Sequence, residues 1–244
     1  MTGLYDIHCH LLPGVDDGAD CMETSIALLE KQYENGVRTV IVTPHYRKDM
    51  FEPSMKEVKR AYELLRESAE DIGIDLYLGC EYHADMDMLD AFLTGQRPTM
   101  AGSRYVLCEF SEAAAKSYIR ERGSGLVRSG LIPIFAHIER YQEMRDLDFV
   151  EEMCEAGCYM QVNAGAILGD DGFRTKSYCK KLIQYNMIRF IGSDAHDLKK
   201  RAPNLGRCAE YLKKKAGRLY TDRIMRENPA KIIDSQCSAR RKRV

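Results

Sequence analysis

The sequence predicts an α/β protein built as one barrel-like domain of parallel strands joined by helices, and three observations predict it. Short β-branched or apolar runs alternate with helical patterns along most of the 244 residues, as repeated βα units do. No Ser/Gly/Pro-rich linker or sequence repeat divides the chain. Imidazoles and carboxylates gather at the ends of the strand-like runs, and in a parallel barrel all those ends open on one face.

Taken in order, strands are expected near Leu4–His8, Thr39–Thr43, Leu76–Cys80, Tyr105–Glu109, Ile132–Ala136, Tyr159–Val162 and Ile188–Ile191, seven in all. Helices fall between and after them: Glu23–Asn35, Ser54–Ile72, Met86–Leu93, Ala113–Ser129, Asp148–Ala156, Thr175–Tyr185, Asn204–Lys215 and Thr221–Glu227. Asn35-Gly36 and Ala156-Gly157 read as helix stops with glycine in the left-handed position. Ser54 with Glu57 three residues on, after Pro53, spells a capping box. The domain is expected to run over 1–236, and the basic stretch 237–244, ending Arg240-Arg241-Lys242-Arg243, to be a disordered tail.

Composition excludes several classes. Lys plus Arg (36) balances Asp plus Glu (37), so bulk charge gives no reason to expect nucleic-acid binding. No run approaches the roughly 18 apolar residues of a membrane helix, and the N-terminus lacks a signal-peptide layout, so a cytosolic protein is expected. Nine cysteines, an odd number without regular spacing, read as reduced thiols rather than disulfides or a CxxC zinc site. Cys237 and Arg243 have the bare Cys-x5-Arg spacing of thiol phosphatases, but no glycine-bearing phosphate loop surrounds them. Gly123-Ser124-Gly125 reads as a flexible turn, not a phosphate loop, because no strand precedes it and no Lys-Ser/Thr follows.

The chemistry collects in scattered short motifs. DIHCH places His8 and His10 on one face of an extended backbone, and Asp16, Asp17 and Gly18 follow a Pro13-Gly14 turn. His45 ends TVIVTPH, Glu81 ends LYLGCE, Glu109 ends YVLCE, His137 ends LIPIFAH, and Asp194 and His196 follow the last strand. His83 has no place in this pattern and reads as a structural or rim residue. A single capped-strand histidine or surface glutamate would be unremarkable. Together the nine candidates, His8, His10, Asp17, His45, Glu81, Glu109, His137, Asp194 and His196, cannot share one pocket without compensating cations. Nitrogen and oxygen ligands without sulfur suit manganese, iron or zinc, and nine residues suffice for two or three ions if one carboxylate bridges. Arg140 and Arg201, on loops beyond His137 and His196, are placed to grip a phosphate on the same face.

DIHCH with DDG, TPH, GCE, CEF, AHIERY and GSDAH in that order resembles the PHP (polymerase and histidinol phosphatase) superfamily, and within it the bacterial manganese-dependent protein-tyrosine phosphatases of capsule and exopolysaccharide clusters. The resemblance implies a distorted seven-stranded, TIM-like β/α barrel with its metal centre at the strand C-termini. It implies one metal held by His8, His10, Glu81 and Asp194, a second by Glu81, Glu109 and His137, and a third by Asp17, His45 and His196, with Arg140 on the substrate phosphate and Arg201 assisting. Phosphotyrosine hydrolysis by a metal-bound hydroxide would follow, on a protein substrate such as a bacterial tyrosine-kinase tail, with no membrane insertion and with homo-oligomers among relatives. Two departures touch the substrate loops: Ile138 replaces the usual Pro, and Ala202-Pro203 a Pro-Pro pair. The alternative is a PHP phosphoesterase acting on a small metabolite such as histidinol phosphate.

Overall fold

The computed structural model describes residues 3–241, and side chains through Ser235. Strands and helices alternate as the apolar patterning requires. They are β1 (Leu4–Asp6), α1 (Met22–Glu34), β2 (Val37–Val42), β3 (His45–Tyr46), α2 (Met55–Ile72), β4 (Asp75–Leu78), β5 (Glu81–His83), α3 (Met88–Leu93), β6 (Tyr105–Glu109), α4 (Lys116–Arg128) and β7 (Ile132–Phe135), followed by α5 (Leu147–Glu155), β8 (Tyr159–Asn163), α6 (Ala164–Leu168), α7 (Phe173–Gln184), β9 (Ile188–Gly192), α8 (Leu205–Lys215), α9 (Arg218–Asp222) and α10 (Asn228–Arg241).

Every strand pairing is parallel, as crossover helices demand. The seven expected strands appear as nine short ones in two sheets, ordered β1-β2-β4 and β3-β5-β6-β7-β8-β9. The two additional strands, β3 and β5, lie just beyond the expected Thr39–Thr43 and Leu76–Cys80, separated from β2 and β4 by breaks in the ladder. After β2, Pro44 has no N–H for a ladder; after β4, Gly79 packs closely on its neighbours, where a Cβ would lie 2.9 Å from Met100 Sδ and 3.1 Å from Ile41 Cγ2. Single hydrogen bonds bridge the breaks, Gly79 N to Val42 O at 2.8 Å and Glu81 N to Pro44 O at 3.1 Å. At the other seam, Asp194 N donates to His8 O and His10 N to Ala195 O (2.8 and 2.9 Å), around a parallel bridge between Cys9 and Ala195. No closed sheet forms among the described residues.

The core has two layers. Ile7, Ile41, Leu107, Ile134 and Phe190, all on strands or next to one, pack together in a smaller cluster with Met100 and with Ile232 of α10. A larger cluster fills the space between strands and helices, with Leu28, Leu65, Leu126, Val150 and Leu182 each among the fully buried side chains. Along β6 the period of two puts Tyr105 and Leu107 in the inner layer, and Glu109 continues that face to the strand's end.

Several boundaries follow their sequence signals. Ser54 caps α2 by accepting from Glu57 N at 3.2 Å, while the Glu57 carboxylate accepts from Ser54 N at 2.8 Å. Gly36 and Gly157 adopt φ of 80° and 92° where the chain leaves α1 and α5. Gly123-Ser124-Gly125 is not a turn but part of α4, where a Cβ on Gly123 would lie 2.8 Å from Phe135 and 2.9 Å from Cys158 Sγ; the missing side chain lets the helix approach the sheet. The expected helix at Thr221–Glu227 is split between α9 and a π-helical turn, Arg223–Glu227. Helix α10 continues through Arg241, so the backbone of the expected disordered tail is helical that far: the stretch after Ser235 contains neither Pro nor Gly to stop it. Residues 242–244, with Arg243 of the Cys-x5-Arg spacing, lie outside the described residues.

Candidate metal centre

All nine candidate ligands meet at one end of the strands, with Glu81 at the middle. Its Oε2 lies 3.1 Å from His8 Nε2, 3.2 Å from His10 Nε2 and 3.1 Å from His45 Nδ1, and its Oε1 lies 2.8 Å from His137 Nε2. Asp194 Oδ1 is 3.5 and 3.6 Å from His8 and His10. Glu109 approaches His137 at 3.7 Å and His45 at 4.0 Å, and Asp17 Oδ1 lies 3.4 Å from His196 and 3.6 Å from His45. Four overlapping groups have donor atoms close enough to share a cation: His10, Asp17, His45 and His196; His8, Glu81 and His137; His8, His10 and Asp194; His45, Glu81 and Glu109.

These contacts are not those of an ordinary hydrogen-bond network. Glu81 Oε2, His45 Nδ1 and Glu109 Oε2 are buried without a hydrogen-bond partner among the described residues, although donors lie close by. The His8 and His10 Nε2 atoms face each other at 3.3 Å, where at most one can carry a proton. Lone pairs converging on common points, off hydrogen-bond axes, are what divalent cations require, and the oxygen and nitrogen donor set fits them. His137 and Asp194 hold φ of 31° and 53°, left-handed conformations of the kind stored at functional sites at about 1–3 kcal/mol each.

Burial and charge push the titrations apart. Burial opposes a charge on His10, but the Asp16 and Glu81 carboxylates outweigh it and raise the pKa to about 10. Burial lowers His45 to about 4. Burial and the neighbouring Glu81 charge raise Glu109 to about 8, whereas Asp194, despite its burial, is held well below the usual carboxylate range by His8, Arg140 and Arg201. Such divergence among adjacent groups marks functional sites.

Sequence reasoning missed the groups that orient these ligands. Asp16 Oδ2 accepts from His10 Nδ1 at 2.8 Å and from His45 N at 2.9 Å, and its Oδ1 accepts from Gly18 N at 3.1 Å. Gly18 presses so tightly on His10 that a Cβ there would lie 2.1 Å from the His10 carbonyl oxygen. Gln161 Oε1 accepts from His137 N at 2.6 Å and lies 3.3 Å from His8 Nδ1. Asn163 donates to Asp194 Oδ2 at 2.8 Å. Polar residues inside the apolar run MQVN were the available signal for the last two. His83 stays outside the cluster at the end of β5, its Nε2 3.1 Å from Ser111 Oγ.

In front of the cluster lies a cavity of about 510 Å³ whose wall includes Glu109, His137, Arg140, Tyr141 and Arg201. Arg140 Nη2 donates to Asp194 Oδ2 at 2.7 Å and Arg201 Nη2 to Asp194 Oδ1 at 2.8 Å, so both arginines lie beside the cluster of candidate ligands. Ile138, by contrast, is fully buried in the outer core and does not reach the cavity. A larger cavity, about 1030 Å³, opens beside the starts of β1 and β4 and contains none of the nine groups.

The family model for capsular polysaccharide synthesis, CpsB/CapC, matches residues 4–234. The chain belongs to the CpsB/CapC family. Within it, the chain is 33% identical over 241 residues to the tyrosine-protein phosphatase CpsB of Streptococcus pneumoniae, covering 96% of this chain and 99% of that protein. It is 30% identical over 217 residues to the tyrosine-protein phosphatase YwqE of Bacillus subtilis strain 168, covering 88% and 85%. A crystal structure from work on YwqE and S. pneumoniae CpsB, described as unique metal-dependent tyrosine phosphatases, superposes with a TM-score of 0.89 at 28% identity over 95% of both chains. The parallel α/β architecture described above is thus the architecture of the CpsB/CapC family.

Proposed function

We propose that this CpsB/CapC member is a metal-dependent protein-tyrosine phosphatase. One observation carries the reading: nine imidazoles and carboxylates cluster at one end of the strands, two of them, Glu109 and His137, lining a cavity with Arg140 and Arg201, in a chain whose relatives across nearly its full length are named tyrosine phosphatases. His8, His10, Glu81 and Asp194 would hold one cation, Glu81, Glu109 and His137 a second, and Asp17, His45 and His196 a third; manganese is the first ion to test, with iron and zinc the alternatives. When bound, such cations would lower the pKa of water towards about 7 and neutralise phosphoryl charge. The two sheets then read as one distorted seven-stranded barrel, supported by the hydrogen bonds that join β2 to β4 past the breaks and residues 8–10 to 194–195.

The chain's own residues supply the rest. Arg140 and Arg201 each commit a donor to Asp194 and keep further N–H groups for a phosphoryl oxygen. Tyr141 and Phe110, both buried, form the apolar backing of the cavity wall. The cysteines nearest the cluster do not fit a thiolate nucleophile: burial pushes Cys80 up to about 12 and raises Cys9 and Cys108 well above the ordinary range. The partner in this reading is the phosphotyrosine-bearing tail of a tyrosine kinase involved in capsule or exopolysaccharide synthesis.

The test is hydrolysis of phosphotyrosine peptides and of histidinol phosphate before and after chelation, with elemental analysis of the protein. Peptide turnover that is lost on chelation and restored by manganese is expected. Turnover of histidinol phosphate alone would remove the protein-phosphatase reading.

A further inference from the structure

Three guanidiniums border the cavity: Arg47, Arg140 and Arg201. Arg140 and Arg201 are tied to Asp194, but the half-buried Arg47 guanidinium has no hydrogen-bond or ion-pair partner among the described residues. The backbone that carries it is held in place. Arg47 directly follows β3 and closes a tight turn with Phe51, each backbone N–H donating to the other's carbonyl at 2.8 Å. The Phe51 ring stacks on the His45 imidazole at 5.3 Å and 12°, pinning that turn to the metal cluster.

A cation held at a cavity wall without a partner favours an anion entering that cavity. Of the cavity's own carboxylates, Glu109 feels the Arg47 charge but is grouped with His45 and Glu81 and forms no ion pair with it, and Glu112 is exposed to solvent. We propose that Arg47 is a substrate-binding residue that donates to the non-bridging oxygens of the phosphoryl group, joining Arg140 and Arg201 around a phosphate monoester. This rests on the phosphatase reading above and adds to it the residue that completes the phosphoryl cradle from the β3 side.

The test pairs calorimetric titration of inorganic phosphate into the metal-loaded protein with hydrolysis of p-nitrophenyl phosphate and a phosphotyrosine peptide, for wild type, Arg47→Ala and Arg47→Lys. In Arg47→Ala, phosphate affinity should fall and KM rise at least about tenfold for both substrates, a change of about 1.4 kcal/mol, with metal content and Tm unchanged. Arg47→Lys should recover part of the loss. Unchanged phosphate affinity in Arg47→Ala would overturn the proposal. So would a KM change confined to the peptide, which would put Arg47 on the peptide flank, or a loss of metal, which would make it a neutraliser of Glu109. If the wild type binds phosphate yet hydrolyses neither ester, the phosphatase reading fails while the calorimetry still decides the Arg47 contact.

Discussion

The chemistry of this site depends on residues that hold other residues. Asp16 fixes His10 through Nδ1 and His45 through its backbone N–H, and an outer carboxylate of that kind sets both the orientation and the basicity of a ligating imidazole. Asp16→Asn should therefore weaken metal affinity by about 10–100-fold, read by metal titration against a folded circular-dichroism spectrum; unaltered affinity would deny the orienting role. Arg140→Ala should behave differently. Asp194 keeps Arg201 and Asn163 as donors, so metal content should hold in elemental analysis while turnover falls at least about tenfold. Most of the nine ligand-type residues were legible because they stand at or just past the end of an apolar run, whereas Asp16 and Asp17 stand side by side after a turn. Nothing in the letters DDG says which carboxylate faces inward and which grips a neighbouring ring.

At the level of elements, the α4 glycines separate two effects that sequence alone merges. In a helix interior Ala is favoured over Gly by about 0.8–1.0 kcal/mol. At Gly125 nothing lies within 4 Å of an added Cβ, so Gly125→Ala should raise stability by up to about that much. At Gly123 the same methyl meets Phe135 and Cys158 Sγ below 3 Å, both fully buried, and overpacking a fixed core costs about 1–3 kcal/mol. Gly123→Ala should therefore lower the urea midpoint while Gly125→Ala raises it; equal shifts would refute the close approach. The Ser54 capping box was readable because both partners lie within four residues of each other. The breaks at Pro44 and Gly79 were not, since a strand that bends around a distant methionine leaves no local mark beyond a residue type that also occurs in loops.

For the molecule as a whole, alternation of strand and helix signals was enough to predict a parallel α/β domain, but the arrangement of its sheets depends on hydrogen bonds between residues as far apart as His8 and Asp194. Those same seams carry the proposed ligands, so in this reading metal affinity and fold stability are coupled. Glu81 and Asp194 lie against the buried imidazoles, and Glu81 Oε2, His45 Nδ1 and Glu109 Oε2 have no hydrogen-bond partner among the described residues; a buried polar atom so placed costs about 1–3 kcal/mol unless something answers it. A ligand that binds only the native state at 100 times its Kd adds about 2.7 kcal/mol per site, and for a chain of this size each kcal/mol moves Tm by about 2–4 °C. Chelation should therefore lower Tm by roughly 5–10 °C per site emptied, and stepwise addition of manganese should restore it with a concentration dependence that tracks binding. His137→Ala, with one ligand gone from the group it forms with His8 and Glu81, should recover less of the increment than the wild type. Full recovery in His137→Ala, or a Tm indifferent to metal in a protein that elemental analysis shows to be loaded, would break the link between the cluster and the seams that bear it.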